Sequence, residues 1–356
     1  MLADFFVCMN AIAMLKSIQS LRGIFALFIF LHHVLVFAAG GDSGVSFFII
    51  LSGFVLCDGY QQKLCRNAIT YKSFIVRRLV KIYPLHLLCL AAAFLLLFQE
   101  QHNPLVWVVN LLLLQSWFPN PAIHFSGNNV SWFLSVLLLC YGVFPFIIRF
   151  ASRGLRKFVL TVLTLLAVYF IAIQFVPVEM SNGIIYINPL FRLPDFIIGI
   201  LIWQILNGKA NGLTQRVSEM GTGIKTVIEL AAIAIFIATV AIYPSVQERY
   251  GLVSLWWPAS AALISVFSLF NENGGFVSRL LQIKPLVFFG NMSFSFYMVH
   301  VLVITAARRL VENYGLTVPD AVFILSTLAA AAVIAYAVWR YYEKPVTRKL
   351  LSRLTR

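Results

Sequence analysis

Apolar runs long enough to cross a bilayer recur along this chain from residue 21 to residue 340, and they leave little choice of fold. A span takes about 20 apolar residues wound as a helix, because in hydrocarbon every backbone N–H and C=O must be satisfied within the segment. Candidate segments are 21–39, 43–59, 82–98, 104–118, 131–148, 158–177, 189–206, 226–243, 251–270, 285–305 and 318–340. Of 356 residues, 61% are hydrophobic and 11% charged, and the mean hydropathy of +0.89 lies outside the range of soluble domains. No linker, low-complexity tract or internal repeat divides the chain. The expectation is one all-α membrane domain over residues 1–356. The first fifteen residues lack the basic start of a cleaved signal peptide and read as an interfacial lead-in. Cys8, Cys57, Cys65, Cys89 and Cys140 are scattered, with neither metal nor disulfide spacing. No metal is expected.

The formal charge of +14 does not point to nucleic acid, because the basic residues fall in short loops between apolar runs. That is the positive-inside pattern. The clusters are Lys63 to Lys81, Arg149 to Lys157, Lys209 to Lys225, Arg279/Lys284, and the tail from Arg340 to Arg356. One side can hold them all only if an even number of the three segments between 82 and 148 crosses. The segment 104–118 is short and contains Asn110 and Gln115, so it is the one expected to be re-entrant or interfacial. Ten spans remain, with both termini cytoplasmic.

Polar residues inside the spans carry the chemistry. Arg22 and His33 are eleven residues apart, about three turns, so they share nearly one face and are separated by roughly 16 Å. With Arg22 at the inner surface, His33 would lie near the midplane and face the protein; His32 points about a quarter-turn away. An ionisable group at that depth costs roughly 2.5–3.5 kcal/mol and usually works there, although a hydrogen-bonded packing histidine fits the same pattern. Arg192 and Asp195 lie three apart on a face shared with Gly199. They read as a structural ion pair or a substrate contact. Ser293, Tyr297 and His300 form one polar stripe, with His300 reading as a supporting group. Ser131, Trp132, Ser135 and Tyr141 lie on one segment, where Trp132 also fits an interfacial belt. In the preceding loop, His124 and Asn128/Asn129 suit sugar contacts or a solvated surface. In FIVRRLVKIYP, a helix would crowd Arg77, Arg78 and Lys81 on one side just before a membrane entry at Pro84. Headgroup anchoring explains them, and so does a phosphorylated ligand held by arginine forks. A Walker loop, GxGxxG, HExxH and GxSxG are all absent.

Seven segments in order resemble the acyltransferase-3 family of integral membrane O-acyltransferases. They are SLRGIFALFIFLHH, GVSFFIILSGFVL, RRLVKIYP, SWFLSVLLLCYGVFP, FRLPDFIIG, FFGNMSFSFYMVH and YYEKPVTR. Arg22 and His33 match the family's arginine and histidine with ten residues between them. Lys81 stands where arginine is usual. Leu137 stands five residues after Trp132, where many members carry glutamate. The chain ends soon after its tail motif, so the form without an added esterase-like domain is expected.

The resemblance implies transfer of an acyl group, most often acetyl, from cytoplasmic acetyl-CoA to a hydroxyl of an envelope glycan or lipid-linked sugar. The setting it implies is a bacterial inner membrane. His33 would be general base or acyl carrier, and Arg22 a donor anchor or oxyanion stabiliser. Arg77, Arg78 and Lys81 would hold the donor phosphates. Trp132, Ser135, Arg192, Asp195, Ser293, Tyr297, His300 and Glu343 would contact substrate or support those that do. The rival reading is a transporter or flippase for a polar lipid-linked glycan. That class favours paired, symmetry-related halves, and no such repeat is present.

Overall fold

The computed structural model describes residues 15–35, 37–97, 103–208, 216–217, 219–270 and 273–354. Cys8 and nearly all of the expected lead-in lie outside them. Every regular element among the described residues is helical. The main helices are α1 (Lys16–His33), α2 (Ala39–Cys65), α3 (Tyr71–Leu97), α4 (Pro104–Leu111), α5 (Trp132–Ala151), α6 (Leu155–Ala172) and α7 (Pro189–Gly208). They continue as α8 (Thr222–Ile242), α9 (Trp256–Leu269), α10 (Lys284–Asn291), α11 (Ser293–Asn313), α12 (Asp320–Val338) and α13 (Lys344–Arg353). Among the described residues, nine helices are long and apolar enough to cross a membrane. They are α2, α3, α5, α6, α7, α8, α9, α11 and α12, several lengthened by adjoining turns.

α1 is not among the nine, because Lys16, Gln19, Arg22, His32 and His33 dilute its apolar content. It still packs inside the bundle, with Ile18, Phe25, Ile29 and Phe30 buried. α6 and α8 lie at the periphery and turn Leu160, Leu163, Val227 and Ile237 outward, as lipid-facing helices do. Water does not drive helix association between such surfaces; close packing and interhelical hydrogen bonds do. At Gly53 and Gly199, α2 and α7 touch backbone to backbone. A methyl at either position would overlap the carbonyl oxygen of Phe196 or of Ile50.

The two ends of the bundle are distinct. At one, Arg149 Nη2 donates to Asn67 Oδ1 at 3.3 Å, which joins two basic loops. At the other, Gln174 Nε2 donates to the Tyr250 hydroxyl at 2.9 Å, and the Tyr243 hydroxyl donates to Asp42 Oδ2 at 2.8 Å.

Segment 104–118 breaks into the eight-residue α4 and a short turn over Gln115–Trp117. Eight residues reach only about 12 Å, too short for a crossing. Asn110 penetrates deeply: its carbonyl oxygen lies 2.9 Å from His86 Nε2, and His86 lies eleven residues, roughly 16 Å, before the end of α3. The chain then turns back through Asn128, whose Nδ2 donates to the Met298 carbonyl at 2.9 Å. Residues 103–131 therefore dip into the bundle and return.

Two expected segments shift. The run 21–39 ends its helix at His33 and reverses through Leu35, whose φ is +63°. His33 thus stands at the end of α1, not midway along a span. The run 285–305 is broken at Met292, so α10 is separate and the long helix starts at Ser293. Pro84, expected at a membrane entry, lies inside the continuous α3.

Candidate active site

A cavity of about 460 Å³ lies at the basic end, between α1, α2, α3, α5, α11 and the α12–α13 junction. Its outer part is cationic. Arg22, Arg78, Lys81, Lys344 and Arg348 line it, with Glu343 the one carboxylate among the described residues. Lys81 and Arg348 are exposed at the mouth. The inner part is apolar, walled by Leu51, Val55, Ile82, Leu137 and a set of aromatic rings.

Four of these cations have a defined partner. Because α3 stays helical through its first turns, Arg78 and Lys81 lie three apart on the cavity face. Lys81 Nζ is 2.8 Å from Glu343 Oε1. Ser295 Oγ donates to Glu343 Oε2 at 2.6 Å. Arg78 donates to the Tyr60 hydroxyl and stacks its guanidinium 4.6 Å from the Tyr60 ring centre. Arg22 Nη1 donates to Gln19 Oε1 at 3.0 Å, one turn back on α1. Lys344 Nζ sits 3.5 Å from the centre of the Trp339 ring. Most of these partners are neutral, so they orient positive charge without cancelling it. Among the described residues no three His, Cys, Asp or Glu side chains converge as a metal site would need.

Of the residues singled out in the sequence, Arg22, Arg78, Lys81, Tyr141, Ser293, Tyr297 and Glu343 meet at this cavity. Arg77 does not. One position from Arg78 it points about 100° away, and its Nε lies 3.4 Å from Ser73 Oγ. His33 does not line the cavity either. Its ring lies 5.1 Å from that of His300, and its carbonyl accepts from Arg308 Nη2 at 3.1 Å. His300 is fully buried. Its Nδ1 lies 2.7 Å from the Tyr297 carbonyl, which fixes that nitrogen as the donor. Its Nε2 has no partner among the described residues.

The other candidates sit apart. Arg192 and Asp195 are 3.4 Å from one another and wholly buried. Arg192 Nη2 also donates to Ser46 Oγ at 3.1 Å, which ties α7 to α2. Trp132 is buried against Tyr186 at 5.0 Å, so it is not an interfacial belt residue. Ser135 is buried beside it on α5. His124 and Asn128 are buried too, which corrects the solvated reading of their loop. Burial lowers the His124 imidazole below its ordinary value, while a hydrogen bond with the Phe118 carbonyl pulls the other way.

Gln19, Trp339, Lys344 and Arg348 belong to the cavity but were not singled out. The spacing of Lys344 and Arg348 (i, i+4) in the tail motif was a usable signal. Gln19 and Trp339 gave none, because their value lies in what they hold.

A family model described as an acyltransferase domain matches residues 15–340. Acyltransferase MdmB of Streptomyces mycarofaciens is 28% identical over 339 residues, covering 88% of this chain and 82% of the relative. Peptidoglycan O-acetyltransferase OatA of Listeria monocytogenes is 23% identical over 358 residues, covering 93% and 56%. O-acetyltransferase OatA of Staphylococcus aureus is 22% identical over 356 residues, covering 94% and 57%. The chain thus spans little more than half the length of either OatA. No solved structure matches.

Proposed function

The chain belongs to the acyltransferase-3 family, and on that footing we propose that it moves an acyl group, acetyl foremost, from cytosolic acyl-CoA to a hydroxyl of an envelope glycan or lipid-linked sugar. The peptidoglycan named for the Listeria relative is one such glycan. The setting proposed is a bacterial inner membrane, with α1 as a tenth span, both termini cytoplasmic and residues 1–356 forming one domain.

The observation that carries this reading is the graded cavity. Its mouth is rich in guanidinium and ammonium groups and its depth is apolar. Coenzyme A has the same gradient: phosphates at one end, a thin arm, and a thioester at the tip. Arg78, Lys81, Lys344 and Arg348 suit the phosphates as charge-assisted donors. Arg22 lies about 16 Å along α1 from His33. That distance suits anchoring the donor rather than stabilising an oxyanion at a carbonyl beside His33.

In the chemical step, the His33 imidazole takes the proton of the acceptor hydroxyl as its oxygen attacks the thioester carbonyl. The C–S bond then breaks, and the departing thiolate takes that proton to leave as free CoA. General-base help of this kind is typically worth 10²–10⁴-fold. His33 can instead accept the acyl group and pass it on.

The test is to supply membranes containing the protein with acetyl-labelled acetyl-CoA. Label should appear in glycan and be lost in His33→Ala. Glycan movement across the membrane without any acyl donor would overturn the reading in favour of a transporter.

A further inference from the structure

The imidazoles of His33 on α1 and His300 on α11 stand with ring centres 5.1 Å apart and planes tilted by 52°. His300 is fully buried, and its ring stacks on that of Phe296 at 6.0 Å with planes 9° apart. Its neighbours fix where its proton sits. Nδ1 lies 2.7 Å from the Tyr297 carbonyl, and a carbonyl only accepts, so neutral His300 carries its proton on Nδ1 and its lone pair on Nε2. That Nε2 is buried and has no partner among the described residues. A bare buried acceptor costs about 1–3 kcal/mol. The rings around it are those of Phe30, Phe296, Tyr297 and His33. The two phenylalanines have no polar hydrogen, and the Tyr297 hydroxyl already donates to the Val130 carbonyl at 2.9 Å. Among these rings, His33 is the one with an N–H to give. Imidazoles at this spacing bring facing nitrogens to about 3 Å, hydrogen-bond distance. A turn of the half-buried His33 ring about its Cβ–Cγ bond completes the contact.

We infer that His300 is a positioning residue for the reaction: its Nε2 accepts the ring N–H of His33 and so leaves the lone pair of His33 on the other nitrogen, turned toward substrate. This rests on the proposed role of His33. Burial assigns the order of the two. His33 is half-buried and can meet a hydroxyl, whereas His300 is enclosed and acts only through its neighbour. As the acceptor oxygen attacks the thioester carbonyl, the outward nitrogen of His33 takes the hydroxyl proton and then gives it to the departing thiolate. The N–H facing His300 stays in place throughout. The same outward lone pair serves if His33 takes the acyl group instead. An imidazolium has two N–H donors, and the inner one then meets a lone pair. A carboxylate in the place of His300 would hold the imidazolium more strongly, at the desolvation cost of another buried charge. The other polar groups beside His33 leave its ring free for this contact. His32 Nδ1 lies 2.9 Å from the Ala38 carbonyl, and Arg308 donates to the backbone carbonyl of His33 rather than to its ring.

The test compares the wild type with two variants in proteoliposomes supplied with acetyl-CoA. His300→Phe keeps the stacked ring but offers no lone pair; His300→Gln places an amide oxygen near the position of Nε2. His300→Phe should lower kcat about 10–100-fold, less than the roughly 10⁴-fold loss when a charged orienting group is neutralised, and should leave the KM of donor and acceptor unchanged. His300→Gln should recover much of that loss. A second readout needs no turnover. ¹⁵N NMR of histidine-labelled protein in detergent, with the His33 signals identified by difference from His33→Ala, reports which ring nitrogen holds the proton. Neutral His33 should be a single tautomer in the wild type and in His300→Gln, and a mixture in His300→Phe. Wild-type kcat in His300→Phe would overturn the inference, as would a mixture of His33 tautomers in the wild type. So would a fall in kcat with the tautomer unchanged, which would make His300 a packing residue only. The wild-type spectrum decides the matter even if neither His300 variant inserts. The proposed function fails separately, if His33→Ala transfers acetyl at the wild-type rate.

Discussion

The cation-lined cavity and the buried Arg192–Asp195 pair contain similar side chains in opposite situations. In the cavity, Arg22, Arg78 and Lys81 border open space and lean on Gln19, Tyr60 and Glu343. Between α2 and α7, Arg192 and Asp195 are fully enclosed, facing one another and Ser46. Charge inside a membrane bundle is therefore not by itself a sign of a ligand site. What separates the two places is whether the charge borders a volume that something can enter. Buried pairs hold position at little net gain, because desolvation offsets the attraction.

The comparison can be broken most severely at His33. His33→Ala should lower transfer 10²–10⁴-fold while the protein still inserts and elutes as a single species from size exclusion in detergent. Next comes Arg192→Leu, which leaves the buried Asp195 without its cation. It should cost about 3–5 kcal/mol of stability, read as a fall in thermal unfolding temperature in detergent. Replacing both Arg192 and Asp195 with leucine should recover much of that loss. If the pair instead held substrate, the double variant would be stable but inactive. A smaller effect belongs to the cavity cations. Arg78→Ala should raise the donor KM roughly 10–100-fold, at about 1.5–3 kcal/mol for one lost bond to a charged group. Arg77→Ala, which lies off the cavity, should leave KM unchanged.

The smallest effect concerns pH. Burial lowers the proton affinity of His124, so the unfolded segment takes up a proton that the folded one resists. Its contribution to stability is complete above the ordinary histidine value of about 6.5 and is lost as the pH falls below it. Hydrogen-exchange protection factors over residues 121–131, with the intrinsic pH dependence of exchange divided out, should therefore fall from pH 6.5 to 5, and His124→Asn should remove that dependence.

Much of this was legible in the sequence because it depends on local pattern. Spans follow from apolar length, and the non-crossing segment 104–118 follows from charge parity together with Asn110 and Gln115. The cavity's Arg22, Arg78 and Lys81 follow from helical phase before apolar runs. What the pattern could not convey depends on partners far away in the chain. Arg77 and Arg78 are indistinguishable in composition, and only the direction of α3 within the bundle separates them. His33 ends its helix rather than standing midway along it, because the helix stops at the histidine and α2 folds back even though apolar residues continue to position 39. The role of Glu343 stayed hidden because Lys81 and Ser295 reach it from 262 and 48 positions away.

The widened π-helical turn over Trp339–Glu343 joins α12 to α13. Such a turn is one residue richer than a regular one. Removing one residue there would restore ordinary winding with little change of phase, because the widened turn absorbs it, whereas removing a second would swing everything beyond it by about 100°. Glu343 would then leave Lys81, and Lys344 and Arg348 would turn away from the cavity mouth. The tail's register, and with it the charge balance at the mouth, thus hangs on the length of this short stretch as much as on the identity of any side chain in it.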